Sequence, residues 1–158
     1  MIYAALKTVH VLAIIVWIGG MVFVHFFLRP AVAQLEAPVR LRLMREVLGR
    51  FFQAVLVAAL LTLASGVWML GRVARQVVQS GGSFEMPLAW TVMAVLGVAM
   101  VAIFMHIRFA LYKKFSRTVA ASEWRVAGAA LAQIRTWVSI NLALGVLVLL
   151  VTLMRWTN

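Results

Sequence analysis

Apolar residues run almost unbroken through four stretches of the chain, Thr8–Leu28, Phe51–Gly71, Leu88–Ile107 and Trp137–Met154, and charged residues gather between them. Each stretch holds about 20 residues, enough for a helix to cross ~30 Å of hydrocarbon at ~1.5 Å per residue. The pattern predicts an all-α fold: an integral membrane four-helix bundle in a single domain, residues 1–158, with spans at 8–28, 51–71, 88–107 and 137–154. Helical periodicity continues outside two of the spans. Leu41, Met44, Leu48 and Phe51 recur every three or four residues after Pro38, a residue suited to the first helical turn, so the second helix is expected to begin near Pro38. Trp124, Ala127, Leu131 and Ile134 likewise place the start of the fourth helix near Ser122. Gln79-Ser80-Gly81-Gly82-Ser83 reads as a turn.

A secretory leader fits the first stretch poorly, although Ala31-Val32-Ala33 resembles a cleavage site. The stretch is long for a leader's apolar segment, and Lys7 is the single basic residue ahead of it.

Composition agrees with the pattern. Of 158 residues, 65% are hydrophobic, against roughly 45–50% in soluble domains. A formal charge of +11 is of the size found in nucleic-acid-binding proteins. Its distribution argues against a nucleic-acid partner. Eleven basic residues fall in the segments after the first and third spans: Arg29, Arg40, Arg42, Arg45, Arg50, Arg108, Lys113, Lys114, Arg117, Arg125 and Arg135. Four, Lys7, Arg72, Arg75 and Arg155, lie on the other side. This asymmetry predicts a multi-pass protein of the bacterial inner membrane, with its basic segments cytoplasmic against anionic lipid and both termini periplasmic. The chain has no cysteine, which removes thiolate ligands and disulfides.

The chain also looks like two copies of one hairpin. Val22-Phe23-Val24-His25 matches Ile103-Phe104-Met105-His106 at an offset of 81 residues, and Gly66 and Gly145 stand 79 apart. Such a repeat relates the halves by a pseudo-twofold along the membrane normal; so short an apolar string also arises by coincidence.

Ionisable residues inside a membrane usually mark function. The three histidines, His10, His25 and His106, all fall within spans. His25 and His106 have equal depth, and two imidazoles meeting across a bundle suit the axial positions of a b-type haem. Arg29 and Lys113, four and seven residues further along, then reach its propionates, and Met21 lines the cavity. A haem so held implies electron transfer or membrane oxidoreductase chemistry, with a redox partner or quinone in the bilayer. The same histidines also serve as metal-free hydrogen-bonding groups between helices, or as ligands of another metal.

His10 lies 15 residues from His25, about 22 Å along a helix, so one haem cannot use both. With Met69, Met86 or Met93 it would make a soft site suited to Cu(I). Asn141 is expected to hydrogen-bond with Gln53, Thr62 or Ser65. Trp68, Trp90 and Trp156 are expected to form an interfacial belt. No Gly-rich phosphate loop, carboxylate pair or Ser-His-Asp set is present, and Glu36, Glu46, Glu85 and Glu123 all lie outside the spans, which argues against a carboxylate-based transporter. Homo-oligomerisation is left open.

The strings Lys7-Thr8-Val9-His10, Val16-Trp17-Ile18-Gly19-Gly20-Met21 and Leu28-Arg29-Pro30 resemble the CopD family of bacterial membrane proteins. So do Arg50-Phe51-Phe52, Ser65-Gly66, Ile134-Arg135 and Asn141-Leu142-Ala143-Leu144-Gly145, and the likeness extends over essentially the whole chain. The resemblance implies copper resistance, with proposed copper uptake across the inner membrane. The spacing of His10 and Trp17 is also similar to that of HemJ-type four-helix proteins, which bind haem and oxidise protoporphyrinogen. The pairing of His25 with His106 belongs to neither resemblance.

Overall fold

The computed structural model describes residues 1–154. Among them, four long helices follow one another: α1 (Ile2–Val32), α2 (Ala37–Gln79), α3 (Leu88–Ala120) and α4 (Trp124–Met154). All four are long and apolar enough to cross a membrane, and the described residues contain no strand. α1 packs along α2, α3 along α4, and α1 also meets α4. Arg155 and Trp156 lie outside the described residues.

The helices overrun the expected spans, mostly at the basic end. The segments expected as basic loops are largely helical, and α2 alone has 43 residues. The apolar periodicity explains why: Leu41, Met44 and Leu48 of α2 are buried, together with Phe115 and Val119 of α3 and Ala127 and Ala130 of α4. A second tier of core therefore continues past the spans. α2 opens at Ala37 with Pro38 in its first turn, close to the expected start. α4 opens at Trp124, two residues later than expected.

Matching turns close the ends of α2 and α3. At the end of α2, Gly81 N–H donates to Val78 and Gly82 N–H to Val77, with Gly81 at φ +81. The link from α3 to α4 repeats this closure: Ser122 N–H donates to Val119 and Glu123 N–H to Thr118. Here the left-handed position is held by Ser122, at φ 59, although glycine is usual there.

Both odd-numbered helices contain a π segment toward the basic end, Phe23–Leu28 in α1 and Ile107–Leu111 in α3. A π segment closes its bonds one residue later than an α-helix. Each therefore rotates the side chains beyond it around the helix axis.

The exterior of the spans is apolar, with Phe23, Phe26, Phe27, Val57, Leu60, Val95 and Val98 exposed for lipid to cover. Trp68 is exposed on α2, about three turns before its end, and Trp90 is half-buried at the start of α3. The interior is aromatic. Trp17 meets Phe104 edge-on at 6.0 Å between ring centres, and Phe52 meets both Phe104 and Tyr112. α1 approaches α2 closely at Gly20, where a Cβ would run into the Phe51 ring.

Candidate functional site

α1 turns one face to the interior through Ala13, Trp17, Met21 and Val24. His10 is half-buried on the same face, near the end of the bundle that holds the N-terminus. Across from it is Ser65 of α2, a serine only 4% exposed. His10 Nδ1 lies 2.9 Å from Ser65 Oγ. The serine hydroxyl is directed back at the Leu61 carbonyl, with Thr62 O also within reach at 3.2 Å. A hydroxyl has one proton, so Ser65 spends it on the backbone and accepts from His10. The neutral imidazole then carries its proton on Nδ1 and its lone pair on Nε2. Such an outer hydrogen bond commonly orients a metal-binding histidine.

The ring lies over Gly66, where a Cβ would stand in ordinary van der Waals contact with His10 Cε1, at 3.4 Å. Met69 is one turn beyond Ser65, on the side of α2 that Ser65 turns toward α1, and is half-buried. Met86 is exposed and Met93 half-buried. No three His, Cys, Asp or Glu side chains cluster as a metal site among the described residues. A metal held at His10 would therefore depend on sulfur or backbone ligands.

His25 and His106 are not brought together. His25 Nδ1 is 3.4 Å from Ser139 Oγ of α4, in the α1–α4 seam. His106 is exposed, with its ring 5.4 Å from that of Trp137, also on α4. Residues 137 and 139 point about 200° apart on a helix, so the two imidazoles flank α4 instead of facing one another. A twofold that carried His25 on α4 to its counterpart would set His106 on α2. The π segments explain the difference: Phe23–Leu28 contains His25, whereas Ile107–Leu111 begins after His106. Equal positions in the matched strings thus become unequal orientations.

The remaining residues of the expected haem site are also dispersed. Arg29 and Lys113 are exposed, and Met21 is 2% exposed in the core. The void beside Met21, lined also by Trp17, Phe51, Phe52, Phe104 and Asn141, measures about 10 Å³. That is room for about one water. With His25 beside Ser139 and His106 beside Trp137, the structure lends no support to a bis-histidine haem.

Asn141 departs from expectation as well. It is 1% exposed, and its Oδ1 has no hydrogen-bond partner among the described residues. Gln53 faces outward, Ser65 is committed to His10, and Thr62 Oγ1 also has no partner among the described residues. The sequence reading missed Ser65 as the partner of His10. The available signal was depth, since both residues fall near the same end of an antiparallel hairpin.

The family model for copper resistance protein D (CopD) matches residues 45–155, which takes in most of α2 and the described lengths of α3 and α4. The likeness read from the sequence extended further, into α1. No curated protein and no solved structure matches. The chain belongs to the CopD family.

Proposed function

We propose that this multi-pass membrane protein of the CopD family serves copper resistance by taking up Cu(I) at His10, at the end of the bundle opposite its basic segments. The observation that carries the reading is the His10–Ser65 hydrogen bond, which fixes the ring and leaves Nε2 as the metal-facing nitrogen. Met69 supplies a thioether, a soft donor that favours Cu(I) over harder ions. Family membership supports the copper chemistry. The charge asymmetry supports a periplasmic site, since the positive-inside rule places the basic end in the cytoplasm of a bacterial inner membrane. The bis-histidine haem reading draws no support from the arrangement of His25 and His106.

The test is competition for Cu(I) between the detergent-purified protein and a chromogenic chelator under reducing conditions. Wild type is expected to bind one ion per chain. His10→Ala should abolish binding and Met69→Leu weaken it, while His25→Ala and His106→Ala retain it. Wild-type affinity in the His10→Ala protein would overturn the site. A purified protein with a Soret band lost in His25→Ala would restore haem.

A further inference from the structure

At the basic end of the bundle, the surface of α3 carries a cleft of about 240 Å³ lined by Arg108, Phe109, Tyr112, Lys113, Ser116 and Arg117. Their spacing places them along one side of the helix. Three cations and two hydroxyl-bearing residues line the cleft, and no carboxylate does.

We infer that this cleft binds the phosphate of an anionic phospholipid headgroup. Basic residues flanking a span usually form a merely solvated fringe, and two observations set Arg108 apart. Its guanidinium carbon lies 5.6 Å from the Phe109 ring centre and 5.4 Å from that of Tyr112, so aromatic faces hold it in place. Its Nε is fully buried and has no hydrogen-bond acceptor among the described residues. A guanidinium only donates, and with Nε closed off inside the fold an anion entering the cleft would be met by the two terminal nitrogens of Arg108.

The support behind Arg108 is itself fixed. Tyr112 donates its hydroxyl proton to the Arg45 carbonyl of α2 at 2.9 Å, and Gly49 leaves the space for that approach. The Tyr112 ring thus braces Arg108 while its proton stays committed elsewhere. Arg45 is paired with Glu46 at 3.3 Å, outside the cleft. Arg108 directly follows the apolar stretch Leu88–Ile107, which sets it at headgroup depth, where a phosphate is always at hand. Arg117 and Lys113 add positive charge, and Ser116 adds a hydroxyl donor. Three cations favour a headgroup of net negative charge over a zwitterion. The inference is independent of the copper reading.

The test titrates the detergent-purified full chain with phosphatidylglycerol, phosphatidylcholine or inorganic phosphate and follows its thermal midpoint. Phosphatidylglycerol should raise the midpoint saturably, with the other two much weaker. Arg108→Gln and, separately, Arg117→Gln should weaken the apparent lipid affinity about tenfold, the scale of losing a charge-assisted hydrogen bond. Lys114→Gln, an exposed charge outside the cleft, should leave it unchanged. Should Arg108→Gln fail to fold, Arg117→Gln decides alone. An equal response to phosphatidylcholine, or wild-type affinity in the variants that fold, would overturn the site. An equal response to inorganic phosphate would overturn the lipid as its ligand.

Discussion

His10 on α1 and Ser65 on α2 are joined at 2.9 Å, and because Ser65 gives its own proton to the α2 backbone, the histidine is the donor. One side-chain bond thus ties two spans and also selects the imidazole tautomer. Ser65→Ala should therefore have two effects. Stability in detergent should fall by about 0.6–2 kcal/mol, the range for an interhelical hydrogen bond in a membrane. Cu(I) affinity should fall about 10–100-fold, as when a metal ligand loses its outer partner. Thermal unfolding and chelator competition read the two separately, and an unchanged affinity would confine Ser65 to structure.

Asn141→Leu should stabilise the bundle. The Asn141 carbonyl oxygen is buried without a described partner, and an unsatisfied buried polar group costs about 1–3 kcal/mol. Leucine has a similar volume and no unpaired acceptor. A rise in the thermal midpoint is expected; a fall would reveal a water or ligand held by the amide in the neighbouring void.

Adjacent glycines should behave oppositely. A Cβ at Gly20 would collide with the Phe51 ring, whereas a Cβ at Gly19 meets nothing within 4 Å. Gly20→Ala should destabilise by about 1–3 kcal/mol through overpacking. Gly19→Ala should be neutral or slightly stabilising, since alanine is the better helix former. Equal midpoints for the two variants would contradict the α1–α2 contact.

Ser122→Gly should raise stability by about 1 kcal/mol. A left-handed conformation strains a residue with a Cβ and costs glycine little. Denaturation in detergent measures the gain. A loss would show that the Ser122 side chain contributes more than its backbone conformation costs.

Reporter fusions test orientation. A cytoplasmic reporter should be active when inserted at Ser122 and inactive at Gly81, because the basic residues gather near Ser122. The reverse pattern would move His10 to the cytoplasmic side and remove its access to periplasmic copper.

The sequence by itself determined the bundle. Four apolar stretches of membrane-crossing length admit few other folds, because hydrocarbon leaves every backbone group to be satisfied within a helix. Pro38 and the periodicity after it marked the start of α2, and the glycines at 81 and 82 marked its end. Residue spacing could not decide which side chains meet across helices. His25 and His106 share a local string and a depth, yet one falls within a π segment and the other before one, so their orientations diverge. Ser65 joined His10, not Asn141, because antiparallel packing of α1 on α2 set those two at one level. The brace of Tyr112 on the Arg45 carbonyl depends in the same way on how α3 approaches α2. Helix formation is a local consequence of composition and length. Pairing between helices depends on rotation about each axis, and a single widened turn resets that rotation for every residue beyond it.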